Sequence, residues 1–400
     1  MTAVATDAVR ALVDRRLTAR QEAIAAFHDA GGAERLARLC HGMAERFARD
    51  GRLVAVGLSA TALSDVHHVA VEFVHPVIVG KRALPAIGLA RPRELGLVAE
   101  PDDIVIAFGG PDDGSELTDA IAMARARGCL TIAFAPLGAE WELEPPSAEP
   151  FVRQELAETT YHVLWELVHV FFEHRGLLAG RTEQRVHDAG AASFLYPFLA
   201  EREDDLDAVL ADVAASARMK ADDVSALRAR TLGDGLDVLC AAAAALRERF
   251  AAGGKLLALG NGGSATDATD VVADFTEPPA GTGWQPRRAL DLTADPAILT
   301  AIANDIGTEA IFARQVIAYG GPRDALLALS TSGNSLSVVD ALVEARRRGL
   351  LTIAMVGYDG GRVAAESLAD HIVITRSQHI PRIQEAQATA YHVLRELVEP

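Results

Sequence analysis

The sequence predicts two doubly wound α/β domains in tandem, each a parallel sheet with helices on both faces, the first of them degenerate. Three observations lead there. The chain repeats itself in order, its strand-like runs are continuously apolar, and amphipathic helical stretches separate those runs.

The repeat is the strongest of the three. ERFARDGRLVAVG at 45–57 returns as ERFAAGGKLLALG at 248–260, identical at 8 of 13 positions. RARGCLTIA at 125–133 returns as RRRGLLTIA at 346–354. RQELAETTYHVLWELV at 153–168 answers to IQEAQATAYHVLRELV at 383–398, with 10 of 16 positions identical. The offset between copies grows from 203 to 221 to 230, so the second copy holds extra residues in LTADPAILTAIANDIG (292–307) and DGGRVAAESLADHIVITRS (359–377). The first copy is therefore expected to lack a helix-bearing connection and part of an edge strand. Domains are expected over 1–172, with N-terminal helices, and over 207–400. A polar linker at 173–206 joins them and carries a short apolar segment, FLYPFL, at 194–199.

In the second copy LLALG (256–260), ALLALS (325–330), LTIAMVG (351–357) and HIVIT (371–375) read as strands. Their unbroken apolar character is what a parallel sheet buried on both faces requires. VVDALVEARRRG (338–349) reads as a crossover helix, ended by Gly349.

Composition excludes several classes of function. Half of the 400 residues are hydrophobic and 23% are charged, an ordinary globular balance. No run approaches the length of a membrane span, and MTAVATDAVRALVDRR lacks the layout of a secretion signal. A net charge of −17 argues against nucleic acid or an anionic membrane as partner. Cys40, Cys129 and Cys240 stand far apart with no metal-type spacing, as expected of reduced thiols in a cytoplasmic protein. The three lysines, Lys81, Lys220 and Lys255, include none in a GxxxxGK[ST] loop, so no nucleotide cofactor is expected.

Two loops of the second copy carry unusual chemistry. Gly260-Asn261-Gly262-Gly263-Ser264 follows one strand, and Ser330-Thr331-Ser332-Gly333-Asn334-Ser335 follows another. Glycines let backbone N–H groups approach a ligand, and hydroxyls at a helix N-terminus make an anion nest that needs no lysine. Ligands of open parallel sheets bind beyond the carboxyl ends of the strands, which is where both loops lie.

GNGGSATDATDVVADF, LTADPAILTAIANDIG, STSGNS and PRIQEAQATAYH together resemble the sugar isomerase (SIS) domain, a flavodoxin-like fold, and within it the sedoheptulose-7-phosphate (phosphoheptose) isomerase branch. The resemblance covers about 207–400, with a weaker echo over 1–172. It implies a small-molecule sugar phosphate as ligand, contacted by Asn261, Gly262, Gly263, Ser264, Asn304, Asp305, Ser330, Thr331, Ser332, Ser335 and Gln384. It also implies a homo-oligomer and an acid/base set, with zinc or another divalent ion, drawn from a His-x-x-x-Glu pair and a Gln with a His eight residues on. Such i, i+4 and i, i+8 spacings keep side chains on one side of a helix.

The two copies depart from that pattern in opposite ways. The second has Asp270 and Asp274 where the pattern has His and Glu, but keeps Gln384 and His392. The first keeps all four, as His68, Glu72, Gln154 and His162, yet reads Gly109-Gly110-Pro111-Asp112-Asp113-Gly114 in place of STSGNS. Two carboxylates there would repel a phosphate dianion. Its GNGGS counterpart is Gly57-Leu58-Ser59-Ala60-Thr61. The expectation is a division of labour. The second copy recognises phosphate and hydroxyls, and the first supplies the metal ligands, with Glu72 and His162 as acid/base candidates and His392 as the alternative. The function expected is aldose–ketose isomerisation of a sugar phosphate like sedoheptulose 7-phosphate. The alternative is a sugar-phosphate sensor or scaffold that binds without turnover.

Overall fold

The computed structural model describes residues 3–77, 81–110, 113, 115–173 and 205–399. In chain order it contains α1 (Ala3–Asp29), α2 (Gly32–Ala48), β1 (Leu53–Val56), α3 (Ala60–Val74), β2 (Ala86–Leu89), α4 (Leu95–Val98), β3 (Ile104–Ala107), α5 (Ser115–Ala126), β4 (Leu130–Ala133), β5 (Trp141–Glu142) and α6 (Pro150–Glu173). The second copy follows with α7 (Leu206–Ala251), β6 (Leu256–Leu259), α8 (Gly263–Thr276), β7 (Ala289–Asp291), α9 (Pro296–Asp305), α10 (Ala313–Tyr319) and β8 (Ala325–Ser330). It ends with α11 (Leu336–Arg347), β9 (Leu351–Gly357), α12 (Gly361–Ala365), β10 (His371–Thr375) and α13 (Ile380–Val398).

Each copy forms one five-stranded parallel sheet. The orders are β2-β1-β3-β4-β5 and β10-β9-β8-β6-β7, the same doubly wound topology read from opposite edges. Alternate residues of each strand feed two cores. In the first sheet Leu53, Ala55, Ile104 and Ile106 join α2, α3 and α6, while Val54, Val56, Val105 and Ala107 join α5. In the second, Leu256, Ala258, Leu327 and Ile353 join α7, α8 and α13, while Leu257, Leu259, Leu326 and Ala354 join α10 and α11. Burial on both faces explains why the central strands read as unbroken apolar runs.

The second sheet has a fifth strand, β7, which the sequence reading omits. It is a half-buried edge strand of three residues, too short and too mixed to make an apolar run. The first copy's losses are where the offsets put them. Its β2–β3 connection holds a 3-10 turn, Pro92–Glu94, and the single helical turn α4, against α9 and α10 in the second. Its edge strand β5 has two residues against five in β10.

The compact units are Gln21–Asp222 and Met1–Arg20 with Asp223–Pro400. They differ from a cut at 172 and 207 because both boundaries fall inside continuous helices. Val209, Val213 and Ala217 at the start of α7 belong to the core of the first sheet, and Val13 of α1 to that of the second. The expected linker lies outside the described residues over 174–204, including the 194–199 segment. All three cysteines are free, and no helix among the described residues is long and apolar enough to cross a membrane.

One buried device recurs in both units. Asp103 Oδ1 accepts the Arg52 N–H at 2.8 Å and Oδ2 the Glu100 N–H at 2.9 Å, while the Arg52 guanidinium reaches both oxygens at 3.1 and 2.7 Å. Asp324 accepts from Lys255 N, Gly321 N and Lys255 Nζ at 2.9, 2.9 and 2.7 Å. Gly51 and Gly254 make room for it: a Cβ there would lie 2.1 Å from Asp102 O and 1.9 Å from Arg323 O. Although burial opposes ionisation, the donors win and hold both carboxyls below the usual range. A depressed folded value means stability that is present above the unfolded pKa and lost as pH falls through the folded one. Asp324→Asn should therefore cost about 2 kcal/mol at neutral pH, read as a lower Tm. The gap to wild type should narrow as pH drops below about 4; a gap that stays constant there would remove the charge from the explanation.

Candidate functional site

In the second sheet β6 and β8 are neighbours, and the chain reverses direction across the sheet between them. Their carboxyl ends form the switch point at which a doubly wound sheet opens a crevice. The loop 260–264 leaves β6 and enters α8, and the loop 330–335 leaves β8 and enters α11. Asn261 Nδ2 donates to Ser337 Oγ at 3.0 Å and ties the two together. The amino ends of α8 and α11 are thus linked by a side-chain bond, and a helix amino end favours an anion.

The 330–335 turn is internally braced. Ser330 Oγ accepts the Gly333 N–H at 3.1 Å, and Ser332 Oγ accepts the Asn334 N–H at 3.2 Å. Asn334 Oδ1 accepts the Arg362 N–H at 2.9 Å, and Gly333 O accepts the Val363 N–H at 3.1 Å, which fastens the turn to α12. Gly333 has φ +63°, and a Cβ would sit 2.2 Å from Gly360 O. Ser330 is buried as a brace, whereas Thr331, Ser332 and Ser335 are half-buried. As an acceptor from Asn334, Ser332 Oγ keeps its own proton to donate. Asn261 and Gly262 are exposed, Gly263 is half-buried and Ser264 is buried.

Other residues expected around this loop are distributed unevenly. Asn304 and Asp305 stand exposed at the end of α9, where Asn304 Nδ2 donates to Asp305 Oδ1 at 2.7 Å. No hydrogen bond of the described residues joins that pair to either loop. Asp270, Asp274, Gln384 and His392 are all buried on α8 and α13. His392 Nε2 lies 3.4 Å from Asp274 Oδ2, and Arg395 Nε donates to the Asp274 carbonyl at 2.9 Å.

The corresponding loop of the first unit is filled from within. Asp113 Oδ2 accepts the Gly110 N–H at 2.8 Å, so the protein's own carboxylate takes a backbone donor that a ligand anion would need. Pro111, Asp112 and Gly114 lie outside the described residues. Ser59 caps α3 by accepting the Ala62 N–H at 3.2 Å, an ordinary helix start.

Beneath that loop α3 and α6 bring the titratable residues of the first copy together. His162 Nε2 is 3.2 Å from His68 Nε2, and Glu72 Oε1 is 3.9 Å from the same His68 atom. The Tyr161 hydroxyl is 3.0 Å from His68 Nδ1. Ligand atoms of His68, Glu158 and His162 all lie within 4.8 Å of one another, and all three residues are buried. Burial, reinforced by the approach of His162, holds His68 well below the usual histidine range, so it is a neutral imidazole at pH 7. Burial also pushes the Asp65 carboxyl up to about 8, against a hydrogen bond from Tyr161.

Glu158 is the residue the sequence reading missed. It stands one turn after Gln154, which is half-buried, and one turn before His162. A signal was present: the second copy has Ala388 at that position, so the carboxylate is peculiar to the first. The set suits a borderline ion such as zinc, because two nitrogens on one tetrahedral zinc lie about 3.3 Å apart and carboxylate completes common zinc sites. Among the described residues the second copy's Asp270, Asp274 and His392 form no such three-ligand cluster.

The turn 330–335 can be tested by itself. Gly333→Ala should cost about 1–2 kcal/mol through its left-handed backbone. Inorganic phosphate should raise the Tm of the wild-type chain, and the substitution should abolish that rise. A phosphate response that survives the substitution would exclude this turn as the anion site.

The SIS domain family matches residues 221–357. The phosphoheptose isomerase of Chlorobaculum tepidum is 45% identical over 165 residues, covering 41% of this chain and 78% of that protein. That of Solidesulfovibrio magneticus is 40% identical over 183 residues, covering 44% of this chain and 85% of its own. Over most of the chain the fold is shared with the C-terminal domain of glucosamine-fructose-6-phosphate aminotransferase from Francisella tularensis. That likeness has a TM-score of 0.54 at 10% identity, covering 89% of this chain and 85% of that one. Two sheets of one topology, a nest at the switch point and relatives at this identity lead to one conclusion: the chain belongs to the SIS-domain family and resembles its phosphoheptose isomerases.

Proposed function

We propose that this protein is a sugar-phosphate aldose–ketose isomerase acting on sedoheptulose 7-phosphate or a close analogue. The observation that carries the reading is the braced hydroxyl turn 330–335 at the head of α11, beside the 260–264 loop. Backbone N–H groups and the Thr331, Ser332 and Ser335 hydroxyls would hold the phosphate, and Asn261 and Gly262 would face the sugar. The relatives named phosphoheptose isomerase support the choice of substrate.

The reaction moves a proton between two adjacent carbons through an enediol, which needs a group able to take and return a proton at hydrogen-bond distance. Glu72 and His162 are the candidates in the first unit and His392 in the second. In the first unit His68, Glu158 and His162, with Glu72 beside them, fit zinc or another divalent ion. Such an ion, when bound, supplies a Lewis acid that polarises a carbonyl oxygen. Neutral His68 offers a lone pair rather than a charge to any cation, which removes one source of repulsion.

A second reading has one specific observation in its favour. Asp270 and Asp274 replace the His and Glu of the family pattern, and His392 is engaged by Asp274. A protein that binds a sugar phosphate without turning it over would have this loop and no need of the base.

The readings separate on incubating the full chain with sedoheptulose 7-phosphate, with and without zinc, and following product by NMR. The isomerase reading expects turnover. Ser332→Ala should then raise KM about tenfold, since it removes one bond to a charged group. His162→Ala should lower kcat by about 10²–10⁴ if the first unit carries the chemistry, and His392→Ala should do so if the second does. No product, with wild-type binding that Ser332→Ala removes, would establish the binding protein instead.

A further inference from the structure

We propose that Tyr161 is a positioning residue that orients the His68 imidazole so that its Nε2 lone pair faces a divalent cation shared with His162 and Glu158. This rests on the reading above that these three side chains hold such an ion. Tyr161 itself would touch neither the cation nor the substrate.

A neutral imidazole carries one N–H and one lone pair, and the partner of one nitrogen decides which role the other plays. His68 meets Tyr161 at Nδ1, 3.0 Å away, and His162 at Nε2, 3.2 Å away. A phenol has a single proton to give. The buried Asp65 carboxyl receives a hydrogen bond from Tyr161. With its proton turned to Asp65, the phenol oxygen accepts from His68 Nδ1–H, and the lone pair is left on Nε2. The opposite tautomer would place a hydrogen on Nε2, directed at His162, and would close the same space with a histidine–histidine bond. The tyrosine therefore selects between an open and a closed arrangement of the two imidazoles.

The tyrosine is held for this task. It is 1% exposed, and its ring meets Phe108 edge-on, with centroids 5.7 Å apart and planes at 89°. Phe108 in turn stacks on Phe134 at 5.1 Å and 10°. The two phenylalanines follow β3 and β4, so the hydroxyl is referred to the sheet rather than to a loop. Because Tyr161 and His162 are consecutive on α6, one helix fixes both nitrogens of the facing ring. The second copy supplies the contrast. Tyr391 is retained there, but Asp270 stands in place of His68, and Leu329 and Met355 in place of Phe108 and Phe134. The aromatic support accompanies the imidazole and is missing where the imidazole is missing.

The test measures zinc on the full chain by competition with a chromophoric chelator, and the visible d–d absorption of the cobalt-substituted protein. Wild type should bind zinc and His68→Ala should not. Tyr161→Phe, which removes one oxygen, should weaken zinc about 10–100-fold and shift the cobalt band, with far-ultraviolet circular dichroism unchanged. Asp65→Leu, which takes away the acceptor of the phenol proton, should move both readouts in the same direction, and it carries the test if Tyr161→Phe does not fold. Zinc affinity and cobalt spectrum equal to wild type in both variants would overturn the positioning role while leaving the metal reading intact. Failure of the wild-type chain to bind zinc or cobalt would overturn the metal reading itself, and this proposal with it.

Discussion

In each unit one buried carboxylate ties together the amino ends of the two central strands. Asp103 joins the residue before β1 to the start of β3, and Asp324 does the same for β6 and β8. The contact sets the register of the pair around which each sheet is wound, and the register decides what stands at the other end. Strands of four to six residues carry that alignment over less than about 20 Å. The switch-point loops are adjacent because the strand feet are pinned, and the glycines before them exist to let the pin close.

From the same frame the two copies have taken different chemistry. At the head of α11 the hydroxyls of Ser330 and Ser332 accept the Gly333 and Asn334 N–H groups around a left-handed glycine. At the matching place in the first unit, Asp113 folds back on the Gly110 N–H. From the sequence, the carboxylates of that loop are expected to repel a phosphate. The structure shows one of that loop's backbone donors bonded to the protein's own carboxylate. Below the loops the contrast is reversed: the first unit gathers imidazoles and carboxylates, and the second sets an aspartate against a histidine.

What could be read in advance follows the range of the interactions involved. The central strands were legible because burial on both faces leaves a continuous apolar trace, and the copies confirm one another. The edge strand β7 left none, being short and half-exposed. The nest was legible because its residues are consecutive. Glu158 and Tyr161 acquire their places only when α3 meets α6, across about 90 residues of chain, and no local spacing encodes that meeting. The unit boundaries were obscured for a related reason. A helix such as α7 reads as one element, whichever core its two ends serve.

That last feature bears on how the protein is made. The unit around the second sheet includes Met1–Arg20, and Arg16 pairs with Glu396, 380 positions along the chain. Domains emerging from a ribosome ordinarily fold in order, amino-terminal first. Here a segment that emerges before the first unit has its partner in one that emerges after it. Its apolar side chains, Val9, Leu12, Val13 and Leu17, must wait through the synthesis of the whole first unit before they can be covered.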